Sequence, residues 1–280
     1  MRMGVVGLGT MGSGIAQCAL ESGFHVVAVD TSRELVDRGT ARIRNGLKRR
    51  VKSGRLTKAQ SDAFLGELET GIALASLAEC DIIVEAVFED RDVKGRLLSE
   101  LSTIAPSGTV IVTNTSSISV TSLSQFVKHR ELFAGMHFFN PVPVMPLVEM
   151  ICTDLTSEKA ATFIRNIAIS MNKKVVECRD FPGFVSNRIL MPMINEAIFA
   201  LMENVASRED IDAVMKLGMN HPMGPLELAD FIGLDVCLGI MRTLHSGFGD
   251  SKYRPCPLLV RMVDAGKLGR KSGEGFYRYE

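Results

Sequence analysis

Apolar and polar positions follow two periods in the first two thirds of the chain and only one thereafter. Residues 3–6, 25–29, 81–87, 109–113 and 133–138 are short runs, apolar almost throughout, each leading into polar or turn-forming residues. Such runs suit strands buried on both faces, as in a mainly parallel sheet covered by helices. Between them, apolar residues three and four apart predict helices at 32–52, 57–68, 90–104 and 157–171, with Thr57 placed as an N-cap. Residues 140–146 contain Pro141, Pro143 and Pro146 and cannot be a central strand, because proline removes the ladder donor. They predict a stiff loop leading into an extended run at 147–151, and a further strand lies at 174–178. After Phe181-Pro182-Gly183 only helical periods remain, at 189–202, 207–217, 225–243 and 257–265. The pattern predicts an α/β fold: a Rossmann-type, doubly wound, mainly parallel sheet in residues 1–181, then an all-α domain in residues 182–280.

The first strand runs into Gly7-Leu8-Gly9-Thr10-Met11-Gly12, and an apolar-periodic segment (Ile15, Ala16, Ala19, Leu20) follows. Strand, tight turn and helix in that order aim backbone N–H groups and the positive helix end at a phosphate. The first glycine makes the turn, the second lets a pyrophosphate approach, and the third lets helix and strand pack closely. The second strand ends in Asp30. A carboxylate there accepts hydrogen bonds from an adenosine ribose and repels the extra phosphate of NADP, so the turn predicts a site for NAD.

Composition narrows the classes. The chain has 280 residues, 46% hydrophobic and 23% charged, with 32 basic and 32 acidic residues and a formal net charge of zero. Neutrality argues against bulk attraction to nucleic acid or to a membrane surface, and no apolar run is long enough to span a bilayer. Six scattered cysteines without a CxxC pair read as reduced thiols of a cytoplasmic protein, neither disulfides nor metal ligands.

His137 closes a predicted strand beside the proline-rich loop, and Glu149 lies twelve residues on, in the run beyond that loop. A hairpin-like return would bring the carboxylate to the imidazole, fixing its tautomer and raising its basicity for proton transfer. The spacing alone equally fits a core histidine and a surface glutamate. Asn114-Thr115-Ser116-Ser117 follows a strand and would sit on the ligand edge of the sheet, or be a polar turn. Asn187 could point at a ligand or cap a helix. Arg42, Arg44, Lys48, Arg49, Arg50 and Lys52 are either a solvated helix face or a site for a phosphorylated carrier such as coenzyme A.

These blocks, in this order, resemble the short-chain L-3-hydroxyacyl-CoA dehydrogenases, and most closely the bacterial 3-hydroxybutyryl-CoA dehydrogenases. The similarity runs from the glycine-rich turn through Val84-Glu85-Ala86, residues 114–117, His137-Phe138-Phe139-Asn140-Pro141 and Leu147-Val148-Glu149. It continues through Pro182-Gly183-Phe184, Asn187-Arg188, residues 221–225 and residues 269–277. The resemblance implies reversible NAD-dependent oxidation of a short-chain (S)-3-hydroxyacyl-CoA to the 3-oxoacyl-CoA. His137 would be the general base and acid, and Glu149 its stabilising partner. Ser116 and Asn187 would hold the substrate oxygens, with Ser116 also near the nicotinamide. Gly7, Leu8, Gly9, Thr10, Met11, Gly12 and Asp30 would bind the cofactor, completed by Glu89, Lys94, Asn140 and Lys271. The helical domain would close over the substrate and form a homodimer interface. Two places depart from the family: Pro146 stands where members often carry lysine, and at the coenzyme A contact Gly46 and Ser53 stand where a serine and a lysine can meet the carrier. Lys48, Arg50 and Lys52 are the expected substitutes at that contact. Two rival readings are a dehydrogenase of a free hydroxy or sugar acid on the same scaffold, and a non-catalytic dinucleotide-binding protein.

Overall fold

The computed structural model describes residues 1–279 and divides into two compact units, Met1–Phe181 and Pro182–Glu280. The first unit runs β1 (Arg2–Val6), α1 (Thr10–Glu21), β2 (His25–Val29), α2 (Arg33–Lys52), α3 (Lys58–Gly66), β3 (Leu68–Gly71) and β4 (Ile82–Glu85). It goes on through α4 (Arg91–Ile104), β5 (Val110–Thr113), α5 (Val120–Ser124), β6 (Phe133–Phe138), β7 (Leu147–Cys152), α6 (Glu158–Ser170) and β8 (Lys174–Arg179). The strands form one sheet in the order β3-β2-β1-β4-β5-β6-β7-β8. Every pairing is parallel except β6 with β7. The order reverses direction between β1 and β4, and ligands bind such sheets at the carboxyl ends of the strands beside that switch.

Local sequence explains the element ends. Ser32, Asp90 and Ser157 accept first-turn N–H groups of α2, α4 and α6. Thr57 and Gln60 form a reciprocal capping box at α3. The central strands are buried along nearly their whole length, and Val5, Val26, Val84, Val112 and Met136 pack with Ile15, Ile43 and Ile164 from the helices into one core.

The second unit holds α7 (Ser186–Met202), α8 (Arg208–Ala213), α9 (Pro225–Ile232), α10 (Leu234–Phe248) and α11 (Pro257–Asp264) around its own core, including Ile194, Ile198, Leu226, Cys237, Met241 and Leu259. Asp230 on α9 accepts the N–H groups of Phe276 and Tyr277, which ties the final residues onto the helices. Three departures from the sequence pattern stand out. The predicted helix at 225–243 is two helices, broken at Gly233, whose φ of +104° is a conformation side chains resist. Helix 207–217 ends in a π-helical turn, Val214–Gly218. Strand β3 and helix α5, four and five residues long, were too short for either period to register.

Candidate active site

The glycine-rich turn leaves β1 with Gly7 at φ +91°, its N–H donating to Val29 O at 2.9 Å. A Cβ on Gly12 would lie 1.8 Å from Gly7 O, so helix and strand meet there with no room for a side chain. At Gly9 the position a Cβ would take has no atom within 4 Å. Gly9 is also the N-cap of α1, and no side chain caps that helix end. The turn is therefore closed toward the protein and open on its outer side, a cradle that fits a pyrophosphate. Asp30 stands beside it. Its Oδ2 accepts Leu8 N–H and its Oδ1 accepts Thr31 N–H, both at 2.7 Å. Two donors orient this carboxylate, and a carboxylate has lone pairs left for a ribose.

At the ends of β4 and β5 a chain of charges supports the next loop. Glu85 is fully buried; its Oε1 accepts Lys94 Nζ at 2.7 Å and Val87 N–H at 2.8 Å, and its Oε2 accepts Thr113 Oγ1 at 2.6 Å. Lys94, 1% exposed, also pairs with Glu89 Oε2 at 3.3 Å. Glu89 Oε1 in turn accepts Thr115 Oγ1 at 2.6 Å, Ser116 N–H at 2.8 Å and Ser117 N–H at 3.0 Å. Burial pushes Glu89 up, but the Lys94 ammonium and the bonds from Thr115 and Ser116 outweigh it and hold the carboxyl below its ordinary value. Ser116 thus sits on a loop fastened to an ionised acid.

His137 and Glu149 are direct partners in the antiparallel β6–β7 ladder. Partners on one face of such a pair lie close enough for their side chains to meet. His137 Nδ1 is 2.8 Å from Glu149 Oε2, with the residues 8% and 2% exposed. An ionised carboxylate only accepts, so the proton belongs on Nδ1 and the ring's lone pair falls to Nε2. Asn114 Oδ1 accepts Phe138 N–H at 2.9 Å, extending the bond ladder past the end of β5. The loop between the two strands is held from below: Lys173 Nζ, itself buried, donates to Val142 O at 2.6 Å and Met145 O at 2.8 Å.

Asn140 opens that loop and borders a pocket of about 220 Å³ whose other walls are α1 and the α2 residues Arg42, Asn45 and Arg49. Of the expected carrier contacts on α2, Lys48 and Lys52 are exposed and outside this lining, and Arg50 is engaged by Glu21 at 2.8 Å. In the second unit, Asn187 lies in the first turn of α7, 8% exposed. Lys271 follows α11 in a 3-10 turn, bonded to Asp235 Oδ2 at 2.6 Å. Sequence reasoning quoted Glu85 only inside a matching block, with no role, and passed over Asn45. The signals were an acid ending a wholly apolar strand, which has to be paired if buried, and the 42, 45, 49 spacing, which is one face of a helix. Among the described residues, no cluster of three or more His, Cys, Asp or Glu could hold a metal ion.

Comparison with known proteins gives a consistent result over the full length. A family model described as 3-hydroxyacyl-CoA dehydrogenase, NAD binding domain, matches residues 2–181. Its companion, 3-hydroxyacyl-CoA dehydrogenase, C-terminal domain, matches residues 183–279. A probable 3-hydroxybutyryl-CoA dehydrogenase of Deinococcus radiodurans is 52% identical over all of both chains. The 3-hydroxybutyryl-CoA dehydrogenase of Bradyrhizobium diazoefficiens is 46% identical over 99% of this chain and 95% of its own. The crystal structure of (S)-3-hydroxybutyryl-CoA dehydrogenase from Ralstonia eutropha superposes with a TM-score of 0.97 at 45% identity, covering 100% of this chain and 99% of that one.

Proposed function

The chain belongs to the 3-hydroxyacyl-CoA dehydrogenase family and is an NAD-dependent oxidoreductase, and from that premise we propose that it interconverts short-chain (S)-3-hydroxyacyl-CoA, 3-hydroxybutyryl-CoA foremost, and the 3-oxoacyl-CoA, with His137 and Glu149 as its acid–base pair. The observation that carries this reading is the buried 2.8 Å contact between His137 Nδ1 and Glu149 Oε2. NAD held at the glycine-rich turn would supply the hydride acceptor for oxidation and, reduced, the hydride donor for the reverse direction. Asp30 holds the adenosine ribose, and the open side of the turn at Gly9 takes the pyrophosphate, with Leu8, Thr10 and Met11 beside it. Glu89, Lys94, Asn140 and Lys271 complete the cofactor's surroundings.

In oxidation His137 Nε2 takes the hydroxyl proton as the carbon gives up its hydride. Glu149 remains ionised and stabilises the imidazolium that results, and in reduction the same proton returns to the carbonyl oxygen. Ser116 and Asn187 donate to the substrate oxygens and hold the reacting carbon in place. Proton transfer by a positioned side chain is worth about 10²–10⁴-fold in rate. The carrier's phosphates are read as meeting the basic face of α2. Arg42 and Arg49 line the pocket beside Asn140 and support that reading more directly than Lys48, Arg50 and Lys52.

The reading extends to a cytoplasmic homodimer that binds neither nucleic acid nor membrane. Among the described residues, no helix is long and apolar enough to cross a membrane. Exposed apolar side chains of the second unit, Leu217 at 86% and Ile189 at 68%, are the kind of surface a partner copy covers. The deciding assay is NADH consumption with acetoacetyl-CoA beside free acetoacetate and free sugar acids. Turnover confined to the CoA ester is expected. Preference for a free acid overturns the substrate assignment, and no turnover with any of them overturns the enzymatic reading of this site.

A further inference from the structure

The segment carrying Ser116 is fastened on both sides by carboxylates. Glu89 takes Thr115, Ser116 and Ser117 on one side. On the other stands Asp180, which directly follows β8 and is the penultimate residue of the first compact unit. Its Oδ2 accepts Ser119 Oγ at 2.7 Å and Thr121 N–H at 2.6 Å, and its Oδ1 accepts Val120 N–H at 3.1 Å. Ser119, oriented by that bond, is the N-cap of α5 and accepts Ser122 N–H at 3.1 Å. Immediately after Asp180 the backbone turns tightly, with Phe181 N–H donating to Arg179 O at 2.9 Å, and Pro182 opens the helical unit. One acid therefore holds the first turn of α5, three residues past Ser116, and also marks where the chain leaves the sheet unit.

We propose that Asp180 is a positioning residue for the substrate: by anchoring the start of α5 it fixes the reach of Ser116, the side chain read as gripping the reacting oxygen. The proposal rests on the reading of Ser116 as a substrate contact. Three donors point at this place, Ser119 Oγ–H and the N–H groups of Val120 and Thr121; Val120 is buried and needs a protein acceptor, while water can replace one at the exposed Ser119 and Thr121 without fixing their position. Asp180 supplies both oxygens. Alanine supplies none, and asparagine supplies one while turning an NH₂ toward the remaining donors. Without the anchor the start of α5 loses its hold on Asp180, while the Glu89 contacts and the Ile118 N–H bond to Thr115 Oγ1 at 2.9 Å remain. The cofactor contacts of Asp30 and the glycine-rich turn involve none of these atoms.

The test uses the full chain, with acetoacetyl-CoA and NADH. Asp180→Ala is expected to lower kcat/KM for acetoacetyl-CoA by about 10–100-fold, the scale of a small misplacement near a reacting group, and Asp180→Asn by less. NADH affinity, from fluorescence titration, should fall far less than kcat/KM, because Asp30 and the glycine-rich turn are untouched and only the Ser116 contact beside the nicotinamide is disturbed. A structural role alone would not predict the decisive result. In a cycle with Ser116→Ala, the double variant should be about as slow as Ser116→Ala alone, since both changes remove one interaction. Multiplying losses, a matching loss of NADH affinity, or wild-type kinetics in Asp180→Ala overturns the proposal. Should Asp180→Ala fail to fold, Asp180→Asn and Ser119→Ala carry the same cycle. A wild-type chain inert toward acetoacetyl-CoA overturns the functional reading and this proposal with it; an active wild type with multiplying losses overturns this proposal alone.

Discussion

Glutamine at position 137 can still donate to Glu149 but has no ring nitrogen to take a proton from a hydroxyl. His137→Gln should therefore cost about 10²–10⁴-fold in kcat while NADH affinity, read by fluorescence, stays within about twofold. Equal loss of both would remove His137 from the chemistry. Asp30 makes a different separation. Asp30→Ala leaves Leu8 N–H and Thr31 N–H without their acceptor and removes the charge that disfavours a ribose phosphate. The ratio of NAD to NADP affinity should fall by about tenfold, the value of a hydrogen bond to a charged group; an unmoved ratio in paired titrations refutes the ribose contact. Glu89 predicts a pH effect with a definite sign. Its folded pKa lies below the ordinary 4.5, so the native state gains stability from the ionised form at every pH above that value and loses it as pH falls through the lower, folded value. Melting curves from neutral to acid pH should show a shallower acid decline for Glu89→Gln than for wild type; identical slopes would contradict it. Asp30 and His137 were legible in the sequence by their positions at the ends of β2 and β6; Glu89, Lys94 and Lys271 came only with the family resemblance. What the basic residues of α2 touch was not legible, because the orientation of α2 depends on packing. A Cβ on Gly46 would sit 1.9 Å from the Gln17 side chain, so that face of α2 is pressed onto α1, and the rotation sets Arg42, Asn45 and Arg49 along the pocket.

Between β1 and α1, two glycines of the same turn make opposite demands. Gly12→Ala drives a Cβ into backbone at 1.8 Å from Gly7 O and should cost about 1–3 kcal/mol of stability together with NADH binding. Gly9→Ala places its methyl in open space and should leave the melting temperature nearly unchanged while weakening NADH. If both variants lost only stability, the turn would be a packing device and not a cradle. The long elements were legible because their periods are strong and their caps are local: Thr57, Ser157 and Ser207 all cap the helices that follow them. The break in the 225–243 segment was not, since Leu234 and Cys237 continue the apolar period across Gly233, and only the φ of that residue separates α9 from α10.

Over the whole chain, the alternation of strand and helix patterns up to residue 181, and its end there, made the α/β class readable from sequence. The antiparallel step between β6 and β7 was readable only as a hairpin-like return around the prolines. Oligomeric state belongs to this scale as well. Sedimentation of the purified chain should give twice its 30.6 kDa mass; a stable monomer at working concentrations would leave Leu217 and Ile189 without the cover proposed for them. The return itself has an evolutionary corollary. Val148 and Met150 flank Glu149 and are fully buried on the opposite face of β7, so a slip of one residue would exchange the two faces and carry the acid away from the imidazole. A buried carboxylate without a partner is costly, so the His137–Glu149 contact itself helps to choose the register. The length of the proline-rich connection and the ammonium that grips it act in the same direction. A one-residue insertion or deletion there would strand the acid and silence the catalyst while sparing the glycine-rich cradle.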